Sequence, residues 1–263
     1  CSKAPCAISH LQWDGYDIFF QVLLQQGAAI RRGKEADVIF ILGAWTERKQ
    51  SLFLKKHLLN GCFLIAATES PSMNKVLRPF GIQLSSNFIL SFRKKSCFLG
   101  QPDCPLITDL EKSLRPTLFQ SVNCLATNRA CEVLGKGTPL AFFPSSSLFF
   151  PFLQWRRAFI REAKFGKGKI LVVGDQSLFI NLMIKEADNE RLLKNLLSYA
   201  LKWTGRLRVW VIKDGETFLP KKSSLKRGPA RISIPALAPA LRDFNLAIAE
   251  LQRSLASPSV QRS

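Results

Sequence analysis

With 263 residues, of which 47% are hydrophobic, the chain is long enough to bury the core of one sizeable domain, which excludes an intrinsically disordered protein. The net charge of +19 favours anionic partners such as nucleic acid, acidic lipid headgroups or other acidic polymers. No continuous run of about 20 apolar residues occurs, so the sequence predicts no transmembrane helix.

The first third of the chain predicts helices that alternate with strands. Residues 15–30 predict an amphipathic helix followed by a short strand. Residues 36–45 form an uninterrupted apolar run, which is typical of a strand buried on both faces, and residues 62–70 form the next such run. Between them, residues 46–61 predict a helix. Its apolar stripe is predicted from four leucines: Leu52, Leu54, Leu58 and Leu59. The alternation indicates a parallel sheet with helices on both faces.

The middle of the chain, residues 83–134, is less regular and predicts short strands within loops. Residues 139–155 carry no charge and predict a strand followed by a loop, the alternative being a loop that dips into a membrane. Residues 166–203 predict a further strand and helix, and residues 207–213 predict the final strand of the domain.

The composition changes after residue 218. Residues 219–235 form a basic linker, residues 236–256 predict an amphipathic helix, and residues 257–263 form a tail. The apolar face of this helix comprises Leu241, Phe244, Ile248, Leu251 and Leu255. We expect the helix to pack on the domain or on a partner, the alternative being an interfacial membrane helix. With a tether at residues 1–7, the predicted α/β domain spans residues 8–218.

Positive charge is concentrated in two runs, at residues 153–169 and 219–231. The simplest interpretation of both runs is a solvated face that keeps a basic protein soluble. The alternatives are contact with an anionic lipid surface or with nucleic acid, of which nucleic acid is the less favoured.

Seven cysteines and two histidines are present without a Cys-x-x-Cys pair, so neither a metal site nor a cofactor is predicted. The pairs Cys97–Cys104 and Cys124–Cys131 are spaced to close disulfide loops in an oxidising compartment, with free thiols as the alternative. Cys1, in the stretch CSKAPC, suits the lipid-modified end of a bacterial lipoprotein. This interpretation predicts a membrane-anchored envelope protein, and the alternative is a cytoplasmic one.

The glycine-rich stretches lack the order that known catalytic motifs need. A phosphate-binding loop requires Ser or Thr after its lysine, which neither GKGKIL nor GKGTPL provides. A nucleophile elbow requires Ser or Cys with small neighbours at the turn after a strand, and TESPS lacks flanking glycines. Residues 166–203 are therefore interpreted as structural, with Asp188 or Asn189 capping a helix. The predicted buried face of that helix comprises Leu192, Leu193, Leu196, Leu197, Ala200 and Leu201. No catalytic residue is predicted.

The same stretch resembles an uncharacterised bacterial family. In GKGKILVVGDQSLFIN a strand ends in Gly-Asp before a loop containing Asn, and ADNERLLKNLL opens a Leu-rich helix that runs to Trp203. With ADVIFILG, FLKKHLLNGCFLIAATES and NKVLRPFGIQLS in the same order, these motifs are similar to domain of unknown function 4350 of the class I glutamine amidotransferase-like superfamily, over residues 8–212. The chain is also similar to the auxiliary domains of gliding-type ABC transport systems.

The resemblance implies a flavodoxin-like three-layer α/β fold with a mostly parallel central sheet. It also implies a non-catalytic binding or scaffold domain of the bacterial cell envelope, accessory to a membrane transport or ATPase system, because the family is not known for the amidotransferase cysteine elbow. The expected partners are membrane-associated envelope proteins and an anionic lipid surface. The alternatives are a hydrolase-like enzyme on the same fold and a basic nucleic-acid-binding protein.

Open α/β sheets bind ligands at the carboxyl ends of their strands, so the polar residues there are the candidate ligand-binding residues. Two strand ends supply Thr68, Glu69 and Ser70, and Asp175, Gln176 and Ser177, while Asn181, Asp188 and Asn189 are expected nearby. Their convergence in one pocket would indicate an enzyme, with Asp175 and Asp188 as its acidic residues. Their use as caps and turn residues would indicate a binding domain.

Overall fold

The computed structural model describes residues 14–45, 48–91, 93–145, 147–148 and 156–220. The predicted N-terminal tether, Cys1, nearly all of the basic linker, the C-terminal helix and the tail lie outside these residues. The elements in chain order are α1 (Asp17–Gln25), β1 (Ala29–Ile30), β2 (Val38–Leu42), α2 (Arg48–Leu59), β3 (Phe63–Ala67), α3 (Asn74–Leu77), β4 (Ile82–Phe88), β5 (Leu90–Ser91), β6 (Leu106–Ile107), β7 (Asp109–Leu110), β8 (Leu125–Ala126), β9 (Cys131–Gly135), β10 (Thr138–Phe142), β11 (Ser147–Leu148), β12 (Ala158–Phe165), β13 (Gly168–Val173), α4 (Asn189–Thr204), β14 (Arg208–Lys213) and β15 (Glu216–Thr217).

A central, mostly parallel sheet organises the described chain. Its strand order is β1-β14-β2-β3-β13-β12-β10-β7, with β15 added to β14. The first five of these strands run parallel to their neighbours, whereas the pairings from β13 onwards are antiparallel. Every residue of β2, β3 and β13 is buried, as the uninterrupted apolar runs predict.

Helices cover both faces of the sheet, which gives a three-layer α/β fold. Successive side chains of a strand point to opposite faces. On one face Ile39 shares a core with Leu54 of α2 and Val76 of α3. On the other, Phe40 packs against Phe19 of α1, with 5.3 Å between ring centroids. The helix α4 packs on this second face as well, since it contacts β3 and α1.

The apolar stripe predicted for α2 is only half right. Leu54 and Leu58 are fully buried, but Leu52 is 70% exposed and Leu59 is 47% exposed. The buried face is completed by Ser51 and His57, because positions three, four and seven apart share one side of a helix. The aromatic contact of His57 with Phe53, at 4.4 Å between centroids, shows how a polar residue takes a core position.

The helix α4 differs from its prediction at its two ends. Leu192, Leu193, Leu196, Leu197 and Ala200 are buried as predicted, whereas Leu201 is 42% exposed. Neither predicted cap is made: the helix begins after Asp188, whose side chain makes no cap hydrogen bond, and Asn189 is already the first helical residue. Both side chains bond instead to a neighbouring segment, described below.

The central part of the chain forms short antiparallel pairs beside the sheet, β4 with β9 and β6 with β8. Its described cysteines are free thiols, so the disulfides considered for Cys97–Cys104 and Cys124–Cys131 are not formed in this structure. In the described residues, no helix combines the length and apolarity that crossing a membrane requires.

Candidate functional site at the carboxyl edge

Three parallel strands deliver polar side chains to one edge of the sheet, and a fourth is followed there by a glycine. Glu69 follows β3, Gln176 follows β13, Asp214 follows β14, and Gly43 follows β2. Because these strands pair in parallel, their carboxyl ends meet at the same edge. This edge is where the topology predicts a ligand site.

Glu69 and Gln176 form a two-point clamp across β3 and β13. The backbone N–H of Gln176 donates to Oε2 of Glu69 at 3.0 Å, and its side-chain Nε2 donates to Oε1 at 2.9 Å. The hydroxyl of buried Tyr16 in turn donates to Oε1 of Gln176 at 3.4 Å. The clamp fixes both carboxylate oxygens of Glu69 towards the neighbouring strand.

Gly43 allows Asp214, which follows β14, to approach this clamp. A Cβ at that position would lie 2.2 Å from Oδ1 of Asp214 and 2.8 Å from Oε1 of Gln176, and its φ is +82°. Oδ1 of Asp214 also accepts the N–H of Ala44 at 2.9 Å. The absence of a side chain at Gly43 therefore allows Asp214 and Gln176 to sit side by side.

Asp175 is fully buried, and each of its carboxylate oxygens accepts a backbone N–H group. Its Oδ2 accepts the N–H of Asn128 at 2.7 Å, and its Oδ1 accepts the N–H of Ser177 at 2.6 Å. The preceding Gly174 permits this approach, because a Cβ there would lie 2.0 Å from the carbonyl oxygen of Cys131. Asp175 thus anchors residues 123–131 to the end of β13.

Electrostatics at this edge favours protonated carboxyl groups. Burial raises the pKa of Asp175 well above its ordinary value, and the charge of Glu69 raises it further. Burial also raises the pKa of Glu69, against the hydrogen bonds from Gln176. Burial and the nearby charges of Glu69, Asp214 and Asp175 raise the pKa of Tyr16 well above its ordinary value. Tyr16 therefore stays a neutral donor.

These raised values predict that stability falls as pH rises. A carboxyl group whose pKa is higher in the folded state than in the unfolded state binds more protons when the protein is folded. It therefore contributes fully to folding stability at a pH below its unfolded pKa, and this contribution is lost as the pH rises through its folded pKa. Glu69→Gln removes one such group and its repulsion of Asp175. We expect the loss of stability between about pH 4 and about pH 8 to shrink by about 1 kcal/mol. Urea denaturation at several pH values measures it, and exposed Glu216→Gln is the control. An unchanged pH slope in Glu69→Gln would contradict the assignment.

The structure brings together only part of the predicted site. Glu69, Asp175 and Gln176 lie at the same edge, and the hydroxyl of Thr68 accepts the N–H of Ser70 within a local turn. Asn181 is buried at the start of α1, where its Oδ1 accepts the N–H of Ile18 at 3.0 Å.

Asp188 and Asn189 hold the same segment that Asp175 anchors. Oδ2 of Asp188 accepts the N–H groups of Asn123 and Cys124 at 2.8 and 3.1 Å. Oδ1 of Asn189 accepts the N–H of Ala126 at 3.1 Å, and its Nδ2 donates to the carbonyl oxygen of Ala126 at 2.9 Å. The polar positions of the motif at residues 166–203 are thus used to hold residues 123–131.

Tyr16 and Asp214 are at this edge but were not predicted from the sequence. Asp214 directly follows the final strand, so the rule that selected Glu69 and Asp175 also selects it. Tyr16 gave no such signal, because it precedes a helix and reaches the edge only after α1 has packed. In the described part of the chain, no group of three or more His, Cys, Asp or Glu residues is arranged to hold a metal ion.

No protein-family model matches the chain, and no curated protein matches it either. Among solved structures, the chain is similar to the mmIFT52 N-terminal domain, with a TM-score of 0.55 and 13% identity over 72% of this chain and 92% of that one. Two weaker likenesses are to a beta-galactosidase from Bacillus circulans sp. alkalophilus (TM-score 0.45, 11% identity, 78% of this chain and 29% of that one) and to the exo-beta-1,4-mannosidase Op5Man5 from Opitutaceae bacterium strain TAV5 (0.37, 12%, 67% and 27%). The first similarity supports the three-layer α/β fold and indicates nothing about function. The other two are too weak to support a structural conclusion.

Proposed function

We propose that this chain is a non-catalytic binding domain. The observation that supports this proposal is how the polar residues beyond the strands are used. Asp175, Asp188 and Asn189 all accept backbone N–H groups of residues 123–128. In an enzyme of this topology, polar residues at this edge face the substrate. Here they hold a mostly buried segment in place, so these polar residues serve the structure of the domain rather than a substrate.

A hydrolase-like enzyme is the second candidate, and one observation favours it. Glu69 and Asp175 are neighbouring carboxyl groups whose pKa values are both raised, chiefly by burial. Carboxyl groups with raised pKa values serve as general acids in many active sites. Against this candidate, both oxygens of each carboxylate already accept hydrogen bonds from the protein itself.

Glu69→Gln separates the two candidates. The full chain and the variant are assayed on chromogenic esters, phosphate esters and glycosides. We expect no turnover by the full chain above that of the variant, because a binding domain has no use for the acid. A rate that falls by about 100-fold or more in Glu69→Gln would overturn the proposal and establish an enzyme. The change keeps the size of the side chain and leaves one of its two acceptor oxygens for Gln176, and thermal unfolding checks that the variant is folded.

We further propose that the domain acts at the bacterial cell envelope, on a membrane-associated protein of a transport or ATPase system, with the flavodoxin-like variant of the three-layer fold. The support is the sequence resemblance at residues 166–203 and the net charge of +19, which favours anionic membrane surfaces. Fractionation of native cells with intact-mass measurement tests this. Membrane-bound protein with an acyl mass on Cys1 is expected. Unmodified protein found wholly in the soluble fraction would contradict the envelope location.

A further inference from the structure

A recess lies at the opposite edge of the sheet, where the parallel strands begin. Its volume is about 590 Å³, within the range of small-molecule sites. Residues from separate parts of the chain line it: Lys34 follows β1, Lys56 is in the last turn of α2, Lys167 joins β12 to β13, and Arg208 begins β14. The fold itself therefore assembles the recess.

Among the described residues, four cationic side chains line the recess together with one carboxylate, that of Asp37. That carboxylate is bound in bidentate fashion by Arg208, with Nε–Oδ2 at 2.6 Å and a terminal nitrogen–Oδ1 at 2.7 Å. Lys34, Lys56 and Lys167 are exposed and make no ion pair with any described residue. Three ammonium groups facing one cavity repel each other, and a bound anion removes that repulsion.

Other groups in the recess also suit an anion. Burial and the charge of Lys56 lower the pKa of His57, so its imidazole is neutral at neutral pH and becomes a cation more readily beside a bound anion. Trp203, 36% exposed, provides a flat apolar wall. The Nζ of Lys169 lies 4.3 Å from the centre of the Trp203 ring and supports it from within. Such a wall accommodates the carbon part of a ligand whose charged end meets the lysines.

We propose that this recess binds a phosphate-bearing ligand. Clustered ammonium groups bind phosphate as point charges, and a multiply charged phosphate or pyrophosphate group matches three lysines better than a single carboxylate does. Two sources supply this chemistry: a soluble phosphate ester, or the headgroup of an acidic phospholipid. The proposal concerns the edge opposite Glu69 and does not rest on the binding role proposed for that edge.

The test uses the full chain and two triple variants. In Lys34→Gln/Lys56→Gln/Lys167→Gln the recess loses three charges. In Lys75→Gln/Lys94→Gln/Lys95→Gln three other exposed lysines are changed, so both variants have the same net charge. Binding of inorganic pyrophosphate is measured by calorimetry at low salt. Binding to vesicles of phosphatidylglycerol and phosphatidylcholine is measured by sedimentation, with pure phosphatidylcholine vesicles as the blank. Thermal unfolding confirms that both variants are folded.

We expect the recess variant to bind at least about tenfold more weakly and the control variant to stay within about twofold of the unchanged chain. Binding of pyrophosphate that depends on the recess indicates a soluble ester. Binding of anionic vesicles alone, with the same dependence, indicates a lipid headgroup. Equal weakening in both variants would show that net charge alone attracts the ligand and would overturn the proposal. Failure to bind either probe at low salt would overturn it as well.

Discussion

Asn189→Ala is expected to lower the free energy of unfolding by about 3 kcal/mol. Asn189 is fully buried at the start of α4, and its amide makes three hydrogen bonds. Two of them satisfy the N–H and the carbonyl of Ala126, and the third, at 2.9 Å, reaches the carbonyl of Met183. Alanine leaves these bonds unmade in a site that water does not reach, and each unsatisfied buried group costs about 1–3 kcal/mol.

Asn195→Ala is the matched control, because Asn195 lies on the same helix and also donates to two carbonyl groups. It is partly exposed, so water can replace the lost amide, and we expect a loss of about 1 kcal/mol. Urea denaturation gives the free energies. Hydrogen exchange adds a local readout, since the Ala126 amide should exchange faster in Asn189→Ala only. Equal losses in the two variants would show that the buried amide does not hold residues 123–131.

The second large effect is expected at Glu162, which lies in a buried network beneath α4. Glu162 and Lys169 are both nearly inaccessible, with 3.4 Å between Oε2 and Nζ. The hydroxyl of Tyr199 joins them, accepting from Lys169 and donating to Glu162, both at 2.6 Å. Arg115 donates to the other carboxylate oxygen through Nε at 3.0 Å. Among the described residues, Glu162 is the one carboxylate that forms ion pairs with both Lys169 and Arg115.

Glu162→Gln should therefore cost about 3 kcal/mol, because Lys169 stays buried without its counter-charge. Glu162→Gln/Lys169→Met removes both charges and should be more stable than the single Glu162→Gln variant. Urea denaturation of Glu162→Gln, of Lys169→Met and of the double variant gives the coupling energy between the two residues. Additive losses would contradict the network.

The pH dependence of Glu162→Gln offers a separate check. Burial already lowers the pKa of Lys169, and Glu162 opposes that shift. Without Glu162 the folded pKa falls further below the unfolded one, so the folded state binds fewer protons and stability rises with pH. The deficit of the variant should thus shrink between about pH 7 and about pH 9.

Sequence patterns predicted the central parallel strands β2, β3 and β13 well, because each is buried on both faces and therefore needs a mostly apolar run. The runs at residues 36–45 and 62–70 contain β2 and β3, and residues 166–173 contain β13. Helix faces were harder to predict. Leu52 is exposed and His57 is buried, since the neighbours that a helix packs against, rather than the leucine count, decide which residues are buried.

The carboxyl edge was only partly predictable. Strand ends selected Glu69, Asp175 and Gln176, which do meet. The roles of Asp188 and Asn189 depend on residues 123–126, which are more than 60 positions away in the chain. A cap and a long-range anchor use the same residue types at the same place, so local sequence cannot separate them. The basic recess could not be predicted from the sequence for a related reason. Its four cations are far apart in the chain and come together only after folding: Lys34, Lys56, Lys167 and Arg208.

The position of β14 has a consequence for how the chain acquires its structure during synthesis. This strand, the last of the parallel group in sequence, lies between β1 and β2, and among the described strands β1 pairs only with β14. Until residues 208–213 leave the ribosome, β1 has no place in the sheet and β2 presents an open edge. A nascent chain or a fragment that stops short of β14 therefore exposes a hydrophobic strand edge to unintended pairing. We expect truncation before residue 208 to yield aggregates rather than a smaller folded domain.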